Sequence, residues 1–239
     1  MKKIAIANRK GGVGKTTTSV HIAAALALAE IPTLLIDTDS QGHCQRLLGV
    51  DATGTLDTAL HGDGVHPVKA RDNLDILTGS KGLHDLSTIQ SGRRYRREEI
   101  MTEALAGLTG YEYVIIDTSP GFGDVSINVL FYADSVLIPV SMEALSLEGL
   151  LSLQQEIEEI AEHTPLSICA IVPTFADGRA GKTDDILRNL KDTFADLVTD
   201  PIRYSAAFSD LAFSGQTIYE KDSRNRGATD YAKLTAAIS

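Results

Sequence analysis

Lys10-Gly11-Gly12-Val13-Gly14-Lys15-Thr16-Thr17 decides how the rest of the chain is read. A short apolar run, Lys3 to Ala7, leads into it, and an Ala- and Leu-rich stretch with helical spacing, Thr16 to Glu30, leads out. Strand, glycine-rich loop and helix together make a phosphate-binding loop. The glycines let successive N–H groups curl toward phosphate oxygens, and the helix N-terminus adds its positive end. Lys15 is placed to reach β- and γ-phosphates, and the Thr16 hydroxyl to ligate Mg²⁺. Gly11, Gly12, Val13, Gly14 and Thr17 complete the candidate cradle. The strict G-x-x-x-x-G-K-T pattern is missed at one position, where Arg9 stands. The competing reading is a glycine turn that binds nothing. A second lysine, Lys10, lies five residues before Lys15, and one triphosphate does not need both.

Carboxylates extend the pattern. Leu34-Leu35-Ile36-Asp37-Thr38-Asp39 reads as a buried strand ending on two aspartates, and Tyr113-Val114-Ile115-Ile116-Asp117 as another ending on one. Carboxylates at the C-terminal ends of parallel strands face the ligand crevice. Asp37 and Asp117 are candidates to hold Mg²⁺ through its water shell, and Asp39 to orient or activate the attacking water. The alternative for Asp37 and Asp39 is a pair of solvated turn residues. Gly121 and Gly123 would let the segment after Asp117 move.

Working outward, further apolar runs fall at Leu74 to Leu77, Ser135 to Val140 and Leu166 to Val172. Helical patterns cover Tyr95 to Leu108, Leu145 to His163, Asp184 to Leu197 and Ala228 to Ile238, while Gly49 to Arg71 reads as irregular. Strands apolar on both faces and separated by helices predict a doubly wound, mostly parallel α/β sheet covered by helices on both faces. The expectation is one domain over residues 1–239, with no helix-turn-helix region ahead of the first strand.

The chain has 239 residues, 43% of them hydrophobic and 23% charged, which excludes disorder as its main state. Its longest apolar run, Ile22 to Ala29, is far short of the roughly 20 residues that cross a bilayer. Two cysteines, Cys44 and Cys169, make no disulfide framework, and a cytoplasmic address is expected. The net charge of −10 argues against a protein that coats nucleic acid. The charge is uneven: residues 1–120 carry a net −1 and residues 121–239 a net −9. Basic clusters at Arg93, Arg94, Arg96 and Arg97, and at Lys221, Arg224 and Arg226, leave room for a local patch. The first cluster, beside Glu98 and Glu99, reads as a solvated helix start.

Two lysines around one phosphate loop are the mark of the deviant Walker A motif, and with it the chain resembles the ParA/MinD family of P-loop ATPases. Asp37-Thr38-Asp39-Ser40-Gln41-Gly42 is similar to the family's D-x-D-P-Q-G, with Ser40 for the proline. Asp117-Thr118-Ser119-Pro120 resembles its D-x-P-P, with Ser119 for the first proline. The resemblance continues through Asn128 to Val140, Leu145 to Leu150, Val172 to Phe175, and the block from Phe208 to Ala228, which is similar to ParA proteins in particular. In that block Leu211-Ala212 stands where many members have Ala-Pro. The family implies Mg-ATP hydrolysis, with Lys10 reaching across a homodimer to the partner's ATP and Pro173 and Thr174 bordering the adenine. It further implies non-specific DNA binding in the ATP state, hence association with the nucleoid, and a partner protein that stimulates hydrolysis. The output would be segregation or positioning of a cargo. Arg203, Lys221, Arg224 and Arg226 are the DNA-contact candidates; a solvated charge or surface ion pair is the alternative for each.

Three relatives of the fold fit less well. A MinD-like membrane ATPase needs a basic amphipathic tail, and Tyr231 to Ser239 carries one Lys, so no membrane partner is expected. An iron–sulfur carrier needs thiolates after Asp117, where Ser126 stands. A tyrosine kinase of this type shows a C-terminal tyrosine cluster, whereas Tyr204, Tyr219 and Tyr231 are scattered. MinD-like action on a membrane or protein client, and an ATP-dependent metabolic ligase or synthetase, remain the alternatives.

Overall fold

A computed structural model describes residues 1–85, 90, 93–121, 123–142, 147–177, 181–211 and 214–239. Seven strands form one sheet: β1 (Lys2–Ile6), β2 (Thr33–Asp37), β3 (Val68–Arg71), β4 (Leu74–Thr78), β5 (Tyr113–Asp117), β6 (Ser135–Ser141) and β7 (Ser167–Thr174), in the order β3-β4-β2-β5-β1-β6-β7. Every pairing is parallel except β3 with β4. The expected α/β architecture is therefore present.

Alternation along each strand sends neighbouring side chains to opposite faces. Ile4, Ile6, Leu35, Ile115 and Leu137 pack on one face, while Ala5, Leu34, Ile36, Val114, Ile116, Val136 and Ile138 pack on the other. Both faces are dry, which is why these strands read as unbroken apolar runs. The first face is covered by α1 (Lys15–Leu28), α2 (His43–Leu48) and the final helix. The second is covered by α3 (Thr55–Leu60), α4 (Ile100–Ala104), α5 (Asp124–Tyr132), α6 (Leu147–Ala161) and α7 (Gly181–Phe194). Two short helices, α8 (Ala207–Leu211) and α9 (Ile218–Lys221), precede the final helix α10 (Arg226–Ile238).

Several expectations change. Gly49 to Arg71 is irregular only in part: it also holds α3 and β3. The edge strand β3 buries only Ala70 and so carries no apolar run, and α3 is one short amphipathic piece seated by Leu56 and Ala59. The helix read over Tyr95 to Leu108 shrinks to a 3₁₀ turn, Arg97–Glu99, followed by α4, because Arg96 adopts a left-handed φ of 58° that blocks an earlier start. The reading over Asp184 to Leu197 starts earlier, as α7, and ends in a 3₁₀ turn, Ala195–Leu197. Leu145, Ser146 and Ala212 lie outside the described residues. Among the described residues no helix is long and apolar enough to cross a membrane.

His21 joins α1 to the C-terminal helices from a fully buried position. Burial pushes its pKa down to about 4, against the partly opposing hydrogen bond to Thr17 and the field of Glu220. The folded state thus refuses a proton that the unfolded chain accepts below about pH 6.5, so this residue's support for folding is complete above that pH and is lost as pH falls toward 4. The loss is worth up to about 3 kcal/mol. In urea titrations from pH 7 to pH 4, the stability gap between wild type and His21→Gln should therefore shrink as the solution acidifies.

Candidate nucleotide site

The loop between β1 and α1 is shaped by its own residues. Gly12 and Gly14 take φ of 73° and 89°, which side-chain-bearing residues rarely adopt, and Gly14 sits where α1 begins. Asn8 fastens the entry: its amide donates to the Pro139 carbonyl (2.7 Å) and its Oδ1 accepts the Lys10 N–H (2.9 Å). Arg9, at the position where a strict motif has glycine, pairs with Glu156 of α6. Lys15 folds back inside the loop, its Nζ donating to the carbonyls of Asn8 (3.1 Å) and Lys10 (3.2 Å). Burial lowers the Lys15 pKa, and the fields of Asp117 and Asp39 oppose that shift. Lys10 itself is exposed.

Strand register assembles the acidic floor. Asp37 and Asp117 are Cα partners on the adjacent parallel strands β2 and β5, so both carboxylates emerge on the same side of the sheet at its C-terminal edge. Both are fully buried. Asp37 accepts the backbone N–H groups of Asp39 and Cys44, each at 2.9 Å. Asp117 lies 2.9 Å from Ser19 Oγ and 3.4 Å from Cys44 Sγ, and it also accepts from the Thr16 hydroxyl. Burial raises the pKa of each carboxyl, and each is raised further by acidic neighbours, Asp117 by Asp37 and Asp37 by Asp39. Ligand atoms of Asp37, Cys44 and Asp117 all lie within 4.8 Å of one another. Two buried carboxylates so close, with a threonine hydroxyl beside them, form an oxygen-rich set suited to a hard divalent cation and its waters.

Above this floor opens a cleft of about 330 Å³ lined by Gly12, Gly14, Lys15, Thr16, Thr17, Asp39, His43, Thr118, Pro120 and Phe175. Gly14, Thr17 and Phe175 also line an adjoining hollow with Thr174, Arg203, Tyr204 and Phe208. The candidates thus converge: most of the loop and Asp39 line one cleft, with Asp37 and Asp117 beneath it. Val13 is buried under the loop, its carbonyl accepting from Thr174 Oγ1 at 2.9 Å, and Gly11 is exposed near Pro120. Pro173 is not among the residues that line the cleft or the adjoining hollow. It is buried within β7, its carbonyl takes the Ile202 N–H (2.8 Å), and Phe175 occupies the cleft wall. Asn8, Ser19, His43 and Cys44 were not anticipated at the site, whereas Phe175 closes the Val172–Phe175 segment that the sequence pointed to. Ser19 was within reach of the sequence, since it lies one turn past Lys15 on the same helix face.

The basic candidates separate. Arg203 is bound by Asp230 through two hydrogen bonds, at 2.7 and 2.9 Å, and Lys221 pairs with Asp210 at 3.3 Å. Arg224 and Arg226 are exposed, and among the described residues neither side chain meets a carboxylate. Arg93 and Arg96 are paired to Glu103 and Glu99, as a solvated helix start requires.

A parallel sheet, a glycine loop feeding a helix and strand-end carboxylates beneath the loop define a P-loop nucleoside triphosphatase. A family model described as AAA domain matches residues 1–168. Along 100% of this chain and 98% of its own length, the sporulation initiation inhibitor protein Soj of Bacillus subtilis is 34% identical. The chromosome partitioning protein ParA of Myxococcus xanthus is 34% identical over 97% of this chain and 85% of its own. The chain belongs to the ParA/Soj family of partition and positioning ATPases. Among solved structures, a protein described as cobyrinic acid a,c-diamide synthase from Mycobacterium smegmatis, with bound ATP analogue and magnesium, superposes with a TM-score of 0.82 at 28% identity, covering 99% of this chain and 93% of that one. Cyanothece McdA in its apo form shares the fold, with a TM-score of 0.82 at 22% identity over 100% of both chains.

Replacing Lys15 with Ala should weaken binding of ATP by roughly 100-fold, about 3 kcal/mol, because it removes an ammonium held inside the loop. Isothermal titration, with the thermal unfolding of the variant recorded alongside, checks this.

Proposed function

We propose that this chain hydrolyses Mg-ATP as a homodimer, binds DNA without sequence preference in its ATP state, and positions a cargo with a partner protein that stimulates hydrolysis. One observation carries the reading: the two lysines of the loop do different things. Lys15 turns inward onto its own loop, while Lys10 is exposed and open to a second copy. The similarity to partitioning proteins along the whole chain supports it.

In this reading, residues 1–239 act as one ATPase unit. Lys15 and the N–H groups from Gly11 to Thr17 hold the phosphates, and Lys10 adds positive charge at the partner's γ-phosphate. Asp39, whose Oδ1 is fixed by the Gln41 N–H (2.9 Å), orients the attacking water. Thr16, Asp37 and Asp117 hold Mg²⁺ and its waters, and the ion neutralises charge on the β- and γ-oxygens. Thr174 and Phe175 border the base. DNA contacts fall to Arg224 and Arg226. Arg203 and Lys221 contribute only by exchanging Asp230 and Asp210 for phosphate. A dimer presents two such patches, which offsets an acidic average.

The likeness to the M. smegmatis protein favours a second reading, an ATP-dependent synthetase. In that case hydrolysis depends on a small carboxylic-acid or amide substrate and is indifferent to DNA.

Random-sequence duplex DNA, titrated at fixed low salt, should bind with Mg-ATP and not with Mg-ADP or without nucleotide. Arg224→Ala and Arg226→Ala should each flatten the salt dependence by about one phosphate contact. Binding that ignores the nucleotide, or its absence in all three states, refutes the DNA-switch reading.

Lys10→Ala should bind ADP as wild type does but fail to dimerise with ATP. Sedimentation in the presence of ATP checks this, and a variant that still dimerises removes the trans role.

A further inference from the structure

We infer that His21 is a positioning residue that ties the phosphate-loop helix to the segment carrying Arg224 and Arg226, so that nucleotide binding reaches that segment through its two ring hydrogen bonds; this rests on the DNA-binding reading above.

The tie is specific in its atoms. Nε2 of His21 lies 3.0 Å from the backbone N of Ile218, and an amide N–H can only donate. Nε2 is therefore the acceptor and the ring proton sits on Nδ1, which is 2.6 Å from the Thr17 carbonyl. One neutral imidazole thus joins the first turn of α1 to the first residue of α9. Thr17 lines both the phosphate cleft and the adjoining hollow, so the ring is one residue removed from the ligand. Ile218 N–H is one of the amides a helix start leaves without an internal partner. The Thr217–Glu220 capping box serves its neighbours at Glu220 and Thr217, and His21 serves Ile218.

Further contacts run between the same elements. Tyr231 of α10 stacks on the imidazole with centroids 5.2 Å apart, and Phe208 of α8 meets it edge-on at 5.3 Å. Tyr219 Oη donates to the His21 carbonyl (3.3 Å), and Thr18 Oγ1 lies 3.1 Å from Tyr231 Oη. Gly227 follows Arg226, and a Cβ there would stand 2.5 Å from the Phe208 ring, so the start of α10 is pressed onto the cluster. Arg224 and Arg226 therefore lie on a short span held at both ends by groups that touch His21: Ile218 and Tyr219 before it, Tyr231 after it. A displacement of Thr17 toward a bound triphosphate is delivered to that span through a rigid, buried ring.

Packing alone predicts a different outcome from hydrogen-bonded coupling. His21→Phe keeps an aromatic ring and removes both ring hydrogen bonds, whereas His21→Gln supplies a donor and an acceptor without a ring. Full-length wild type and both variants are compared by hydrogen exchange of residues 218–231 with and without a slowly hydrolysed ATP analogue and Mg²⁺. Affinity for that analogue and for random duplex DNA is measured in parallel. In wild type the nucleotide should change protection of the Ile218 amide. His21→Phe should bind the analogue within about threefold of wild type, lose the exchange response, and bind DNA at least tenfold more weakly in the nucleotide state. His21→Gln should restore most of both responses. An unchanged exchange response in His21→Phe overturns the inference, as does the absence of any nucleotide-dependent change at residues 218–231 in wild type, which needs no variant. If wild type shows the exchange response but binds no DNA, the DNA reading fails and the coupling stands.

Discussion

Two carboxylates buried side by side govern the design of this molecule. Register places Asp37 and Asp117 on neighbouring strand ends, with ligand atoms within 4.8 Å. Two negative charges at that separation repel by roughly 3 kcal/mol even in a strongly screening interior. Desolvation adds several kcal/mol more for each. The surroundings are arranged to meet this cost. Backbone amides of Asp39 and Cys44 close on Asp37, the hydroxyls of Thr16 and Ser19 close on Asp117, and the Lys15 ammonium lies within the field of Asp117. What remains uncompensated is charge that a divalent cation removes. The loop, the helix behind it and two strand ends are therefore parts of one electrostatic problem, and the placement of α1 follows from its solution.

That same problem explains what could be read from the sequence. Glycines before a lysine and a threonine, and apolar runs ending in aspartate, are local patterns with local causes, so the phosphate loop, Asp37, Asp39 and Asp117 were legible. The parallel sheet was legible too, because strands dry on both faces must be apolar throughout. Elements that bury one or two side chains, such as β3 and α3, leave no periodic trace. The cleft wall was legible only in part. Pro173 and Phe175 are two residues apart, and which of them lines the cleft depends on the register of β7 and on the left-handed turn at Phe175, whose φ is 56°. Cys44 and Asn8 act through contacts to distant residues, and spacing carries no sign of those. Ion pairs were similarly invisible: Arg203 and Asp230 are 27 residues apart, so the loss of one candidate cation to its neighbour appears only in three dimensions.

The basic residues differ in what their neighbours leave of their charge. Net charge governs the far field, which at physiological salt decays within about 8 Å. At contact distance only the immediate neighbours count: Asp222 accepts the Arg224 N–H, Arg226 opens α10, and Asp230, four residues further on, is bound to Arg203. Lys221 and Arg203 instead act as internal stitching for the same block.

The borders of the sheet have a consequence for how such molecules crowd. At one border β3 is four residues long, carries Lys69 and Arg71, and runs antiparallel to its neighbour. Arg71 is drawn off the strand to Glu220 and the carbonyls of Leu48 and Gly215. At the other border, isolated bridges from Ile171 to Val198 and from Ala176 to Arg203 lay the following segment along β7. Unpaired strand borders are templates for amyloid-like stacking between copies. With one border short and charged and the other lined by the segment after β7, the described part of the sheet offers little backbone edge for one copy to extend another, which favours association through loops and helices, whose contacts can be undone.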